Sequence, residues 1–191
     1  MKYQLYFANR EQEQAVNALR QKAYVNAKGF QLDLNKLTWR QADDDSYIMV
    51  VANQNELIAT MRGEIINSTT LLEKKLECAW QFPLTLSFPL LLLSRAGTLD
   101  AYRTSGFNLL MRYHFLKFAL SQQLGFVLGT FIEGSSRQTD LVHMGYELYP
   151  HPHGWQQSSY RSLQPVTVAA LNLSLHANNA LAFCESKLKA L

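Results

Sequence analysis

Leu90-Leu91-Leu92-Leu93-Ser94-Arg95-Ala96-Gly97-Thr98, running on into Leu99-Asp100-Ala101-Tyr102-Arg103-Thr104-Ser105-Gly106-Phe107-Asn108, is the stretch that decides the fold. The aliphatic run is far shorter than the roughly 20 residues a membrane span needs, and it ends in Ser94 and Arg95, so it reads as a buried strand. Residues 107–124 then carry no helix breaker and are apolar almost all round, as in a helix covered on most sides. Between strand and helix lies a polar loop. A helix N-terminus exposes unpaired N–H groups and the positive end of the macrodipole, so a loop that leaves it open makes an anion site. Gly106 lets a ligand approach the backbone, Thr104 and Ser105 add hydroxyl donors, and Arg103 adds charge at the mouth, which together suit a pyrophosphate. Ordinary strand-to-helix turns share the spacing, so the surroundings must decide.

Outward from this unit, strand-like and helical runs alternate, which predicts a mixed α/β domain. Residues 1–7 suit a first strand with Tyr3, Leu5 and Phe7 on one side. Asn9 is a fitting N-cap for a helix through Val25, with Val16, Leu19 and Ala23 at helical spacing. Residues 47–52 and 57–66 are β-rich and flank the turn Asn53-Gln54-Asn55-Glu56, which predicts an antiparallel hairpin. A short helix within 67–83 would turn Leu71, Leu72 and Leu76 inward. Gly125 is placed to end the central helix at its C′ position. A strand over 126–132, a short helix over 135–144 closed by Gly145, and a strand over 166–173 follow. A last helix from about Ala177 carries Ala180, Leu181, Cys184 and Leu188 on one face.

Composition bounds the possibilities. The chain has 191 residues, 48% hydrophobic and 17% charged, which predicts one domain spanning 1–191 with a single sizeable core. The charged share lies below the roughly 25% usual for soluble domains, so part of the apolar surface is expected to line a ligand tunnel or an interface. Eighteen Lys and Arg against 15 Asp and Glu leave +3 spread along the chain; with no basic stripe, nucleic acid is a poor first partner. Residues 1–10 hold no apolar h-region or small-residue cleavage site, so a cytoplasmic location without a transmembrane segment is expected. Cys78 and Cys184 stand alone and read as buried free thiols. His151-Pro152-His153, with His143 near in sequence, lacks a carboxylate or Cys at motif spacing and reads as a solvated loop rather than a metal site. Tyr113, Phe115 and Phe118 are expected in the core.

The loop Arg103-Thr104-Ser105-Gly106-Phe107-Asn108 between strand and long helix resembles the Arg/Gln-x-x-Gly-x-Gly/Ala pyrophosphate loop of the GNAT acyltransferase superfamily, and Leu141-Val142-His143-Met144-Gly145-Tyr146 resembles its closing Leu-Gly-Phe segment. The front half is similar to acyl-homoserine-lactone synthases and N-acyl amino acid synthases. Leu19-Arg20, Tyr24-Val25 and Gly29-Phe30 resemble their Arg-x-x-x-(Phe/Tyr)-Val…Gly-Trp segment, and Asp43-Asp44-Asp45-Ser46 resembles their acidic run. Thr60-Met61-Arg62 and Ser94-Arg95 match their Thr/Gly-x-Arg and Ser-Arg-x-x-Val. The resemblance implies a mixed, mostly antiparallel sheet with splayed central strands flanked by helices. It implies acyl-CoA or an acyl-phosphopantetheine as co-substrate, held by Thr98 and by Arg103, Thr104, Ser105, Gly106, Phe107 and Asn108. It also implies an acceptor site with a polar cluster of Arg20, Asp45, Arg62 and Arg95 beside Phe30, no metal, and an acyl carrier protein as a possible partner.

This sequence departs from that pattern at three positions. The family's last Gly/Ala is Asn108, a Glu before the Ser-Arg pair is Leu92, and a Tyr found in many acetyltransferases is Leu141. Attack of an amine on a thioester needs a proton acceptor and donors to the developing oxyanion within about 3 Å of the reacting atoms. Glu64 lies two residues beyond Arg62, on the same strand face if the alternation is regular, and is the best remaining base; the plainer reading is a carboxylate in a structural ion pair. The expected function is transfer of a medium or long acyl group to the amine of an amino acid or similar small molecule. An acetyl-CoA-dependent N-acetyltransferase and an inactive thioester-binding module are the alternatives.

Overall fold

The alternation read from the sequence becomes a sheet covered on both faces. A computed structural model describes residues 2–25, 30–32, 37–153 and 160–190. In chain order its elements are β1 (Gln4–Ala8), α1 (Glu13–Val25), β2 (Phe30–Leu32), α2 (Gln41–Asp44), β3 (Tyr47–Ala52), β4 (Leu57–Ile66), α3 (Thr69–Leu76) and β5 (Leu90–Thr98). There follow α4 (Phe107–Ser121), β6 (Phe126–Ile132), α5 (Arg137–Met144), β7 (Glu147–Pro150), β8 (Tyr160–Ser162), β9 (Val166–Asn172) and α6 (Leu173–Lys189). Seven strands form one sheet in the order β1-β3-β4-β5-β6-β9-β7, and β2 pairs with β8 apart from it. Among the described strands only β5 and β6 pair in parallel. This is the mixed, mostly antiparallel sheet expected.

Side chains of a strand alternate between faces, and the core divides accordingly. Leu91, Leu93, Val127 and Ala169 pack with Phe115 and Leu116 of α4 and Cys184 of α6. Their neighbours Leu90, Leu92, Leu128 and Ala170 pack with Leu72 and Leu76 of α3. Gly63 sets how closely α4 lies on β4, because a Cβ there would stand 2.4 Å from the Phe115 ring.

Two irregularities open the centre of the sheet. The β5–β6 ladder holds only Leu91↔Val127, Leu92↔Leu128 and Leu93↔Gly129, and past those positions the two strands part while each continues. On the other side of β5, Thr60 pairs with Gly97 and Arg62 with Ser94. The extra residue makes β5 bulge, and Arg95 adopts φ 50° there.

Several local expectations are corrected. The central helix stops at Ser121 because Gln123, at φ 54°, takes the left-handed position expected of Gly125; the Gln123 and Leu124 N–H groups then bond the Leu120 and Ala119 carbonyls, each at 3.0 Å. The last helix begins at Leu173, one turn earlier than expected, because Asn172 Oδ1 accepts the Ser174 N–H at 3.0 Å and caps it. Tyr113 is half-buried rather than core, its hydroxyl donating to Glu185 at 2.7 Å. Phe118 is also half-buried, against Phe7 and Tyr47. His151 is not solvated: it is buried, with Nε2 2.7 Å from the Leu76 carbonyl and Nδ1 accepting the His153 N–H. Both cysteines are buried and free, and burial pushes the Cys184 thiol up to about 11.

Candidate active site

Where β5 and β6 part, a cavity of about 730 Å³ opens. Its floor is apolar, with Met61, Leu93, Phe131, Met144 and Ala169, and its mouth runs past the start of α4. The sequence builds this mouth as anticipated. Gly106 is the N-cap of α4 at φ 72° and offers no capping side chain, so the first-turn N–H groups of the helix have no side-chain acceptor. Asn108 in that turn lines the cavity, and its Nδ2 is buried without a hydrogen-bond partner. An orphaned donor beside an uncapped helix start is the arrangement a phosphate oxygen completes.

The expected donor-side residues divide into two sets. Thr98, Arg103, Thr104, Gly106 and Asn108 line the cavity. Ser105 and Phe107 do not: Ser105 is exposed, and the Phe107 ring is buried against Tyr3 at 4.8 Å. Arg103 is tied to Asp100 at 2.7 Å and donates to the Ala23 carbonyl at 3.3 Å, which holds the loop against α1.

A polar cluster assembles at the β5 bulge. Arg20, fully buried, donates from Nη2 to Asp43 Oδ1 at 2.8 Å, and Arg95 donates from Nη1 to Asp43 Oδ2 at 3.1 Å. Arg62 Nη1 stands 3.8 Å from Asp43 Oδ1, while its Nε donates to Ser94 Oγ at 3.0 Å. Burial by itself raises the pKa of Asp43, but the Arg20 and Arg95 guanidinium groups, with Arg62 behind them, more than reverse this and hold the carboxyl below its ordinary value. The acid of the cluster is therefore Asp43, not Asp45. The acidic run folds as α2, whose turn points Asp43 inward to accept the Arg40 N–H at 3.0 Å and leaves Asp45 exposed at the helix end. Phe30 belongs to β2 by its backbone; its side chain lies outside the described residues, as do Gly29 and Trp155.

Glu64 shares the face of Arg62, as strand alternation requires, with Oε2 3.6 Å from Arg62 Nη2. It is 7% exposed, pairs through Oε1 with Lys75 of α3, and its Oε2 is buried without a hydrogen-bond partner. It does not line the cavity; Ser94 and Arg95 do, and the Arg62–Ser94 bond links the two places. Sequence reading missed Arg112 and Arg137 in the cavity wall. An Arg in an apolar helix was the available signal for the first, while the position of Arg137 depends on how α5 packs.

No protein-family model matches the sequence, and no curated protein does. Solved structures do match. FeeM, an N-acyl amino acid synthase from uncultured soil microbes, superposes with a TM-score of 0.66 at 11% identity over 100% of this chain and 98% of its own. BjaI, a CoA-dependent acyl-homoserine lactone synthase, gives 0.63 at 13% identity over 98% and 90%. The acetyltransferase YncA from Salmonella typhimurium, solved with acetyl-CoA, gives 0.61 at 14% identity over 93% and 97%. The chain thus has the GNAT-like acyltransferase fold, similar to that of N-acyl amino acid synthases, acyl-homoserine-lactone synthases and N-acetyltransferases.

Proposed function

We propose that the protein is an acyltransferase that moves an acyl group from a thioester, borne on CoA or on the phosphopantetheine arm of an acyl carrier protein, to the amine of an amino acid or similar small molecule. The observation that carries this reading is the parting of β5 and β6 beyond Leu93 and Gly129 over an apolar cavity whose mouth is the uncapped start of α4. The slot between the strands takes the phosphopantetheine arm, and the first-turn N–H groups with Asn108 and Arg103 take its phosphate. The floor formed by Met61, Leu93, Phe131 and Met144 favours a medium or long acyl chain over acetyl, since apolar area gained there adds about 25 cal/mol per Å².

The acceptor lies on the side of the polar cluster. Arg20, Arg62, Arg95 and Lys75 gather with Asp43 and Glu64 in a largely buried place, and a cluster rich in guanidinium donors suits a carboxylate on the acceptor. In the reaction the amine nitrogen attacks the thioester carbon, the C–S bond breaks and the thiolate leaves. Backbone N–H groups of β5 stabilise the oxyanion, and Glu64, which stands off the cavity wall, takes the proton of the amine through a bridging water.

The test is thermal unfolding with CoA, acetyl-CoA and a long-chain acyl-CoA, followed by thiol release with a panel of amino acids. A donor at a hundred times its dissociation constant adds about 2.7 kcal/mol, roughly 5 to 10 °C for a domain of this size. A shift that grows with chain length and thiol release that requires an amino acid are expected. Binding without release moves the protein to the class of thioester-binding modules, and no shift with any of the three, repeated with acyl carrier protein, ends the reading.

A further inference from the structure

The cavity extends beyond the strands, between the first turns of α4, the helix α5 and the end of α6. There its wall carries Arg103, Arg112, Arg137 and Lys187 against Glu133 and Asp140. Asp140 is engaged by Lys187 at 3.8 Å and Arg103 by Asp100 outside the wall. Arg112 and Arg137 are different. Arg112 projects from the second turn of α4 and is 8% exposed; its Nη1 donates to the Tyr146 hydroxyl at 3.1 Å, and its guanidinium lies 5.5 Å from the centre of that ring. Among the described residues neither Arg112 nor Arg137 has a carboxylate within 4.0 Å. A phenol satisfies one N–H of Arg112 but leaves its charge uncompensated, and a buried charge without a counter-ion costs several kcal/mol.

The two cations also act on one another. Burial pushes the pKa of Arg137 down, the Tyr24 phenol opposes this, and the like charges of Arg112 and Arg103 add to the effect of burial. Two arginines on one cavity wall, neither with a carboxylate within 4.0 Å among the described residues although Glu133 and Asp140 share the wall, form a place that an anion completes, and the guanidinium fork matches a phosphate in two hydrogen bonds.

We propose that Arg112 and Arg137 form a second anion subsite, separate from the start of α4, that takes an additional phosphate group of the acyl donor. This rests on the thioester reading and narrows it. A carrier-protein arm brings one phosphodiester, which the α4 N-terminus accommodates, whereas CoA brings, beyond the pyrophosphate that this loop suits, one further phosphate on its ribose that needs a second set of cations. The preferred donor is therefore acyl-CoA.

Calorimetric titration of the full chain with CoA, 4′-phosphopantetheine, pantetheine and inorganic pyrophosphate tests this, with Arg137→Gln and Arg112→Gln beside the unaltered protein. CoA is expected to bind at least ten-fold tighter than 4′-phosphopantetheine, and each substitution to collapse that ratio towards one while 4′-phosphopantetheine affinity stays within about two-fold. Arg137→Gln keeps the melting temperature, because no acid partner is lost, and so serves as the variant free of folding effects. Equal affinity for CoA and 4′-phosphopantetheine, or a ratio unchanged by Arg137→Gln, overturns the subsite. The two ideas fail separately: pyrophosphate binding that Arg137→Gln abolishes preserves the subsite even if no thioester is turned over, and turnover insensitive to Arg137 preserves the acyltransferase.

Discussion

Glu64 on β4 and Leu92 on β5 are direct partners across the antiparallel ladder, both on the face that packs towards α3. Opposite residues in such a ladder have Cβ atoms about 4.5–5.5 Å apart. The carboxylate of Glu64 thus stands one strand away from Leu92, across the β4–β5 ladder. Leu92 completes an aliphatic cluster with Leu90 and Leu128, and Lys75 from α3 holds the carboxylate of Glu64.

Glu64→Gln is expected to lower kcat by about 10²–10⁴, the usual worth of a positioned base, with donor-induced thermal shifts intact. Glu64→Leu combined with Leu92→Glu moves the carboxylate across the ladder and is expected to recover part of the loss. A kcat indifferent to Glu64→Gln makes the residue a structural partner of Lys75 and removes it from the chemistry.

Among the described residues Asp43 is the only carboxylate that Arg20, with a fully buried side chain, meets, and it also engages Arg95. Asp43→Asn takes the paired carboxylate from the fully buried Arg20 and is expected to cost roughly 3–5 kcal/mol in denaturant unfolding. Because the carboxyl is held below its ordinary value in the folded protein, its contribution is complete above the unfolded pKa of about 3.9 and is lost as pH falls through the lower folded value. The stability gap between the unaltered protein and Asp43→Asn is therefore expected to be constant from about pH 5 upward and to close below about pH 4.

How far the sequence discloses the molecule follows from what each feature depends on. The β5–loop–α4 unit was legible because period and breakers are local: four leucines, an uninterrupted apolar helix and one Gly at φ 72° lie within a few turns. Arg20, Arg62 and Arg95 were legible through the resemblance to the synthase motifs, which points to Asp45 where the structure uses Asp43, since which acid of a run turns inward depends on one turn of α2 packing against the sheet. The four-residue β7 and the three-residue β2 and β8 lack the length for alternation to register. The exchange of Gly125 for Gln123 at the helix end reflects the ladder: the Gly125 N–H is committed to the Pro89 carbonyl at 3.0 Å, so the turn falls two residues earlier.

Gly63→Ala places a methyl carbon 2.4 Å from Cε1 of the buried Phe115 ring. The ring must shift within a full core, so a loss of about 1–3 kcal/mol is expected in urea or guanidinium unfolding. Phe115→Leu in the same chain is expected to relieve part of it; strict additivity of the two substitutions shows that α4 does not owe its position to this contact.

Gly106→Trp separates ligand binding from folding. The residue sits at φ 72° at the start of α4, where a side chain costs about 1–2 kcal/mol of backbone strain, and an indole there covers the first-turn N–H groups. Loss of the CoA-induced thermal shift with an unchanged far-ultraviolet spectrum is expected, while Gly106→Ala carries the strain but keeps binding. Full donor affinity in the Trp variant removes the phosphate from this loop.

Asn108 gives a trade between stability and binding. Its Nδ2 is buried and unpaired beside the start of α4, and an unmet donor of this kind costs about 1–3 kcal/mol. Asn108→Ala removes that cost, so the ligand-free protein is expected to melt higher. The same change removes a donor to the bound phosphate, so CoA is expected to bind several-fold more weakly and to raise the melting temperature less. The two effects have opposite signs only if the amide waits for a ligand. A variant that melts lower without ligand and binds CoA equally well shows instead that Asn108 serves the packing of α4.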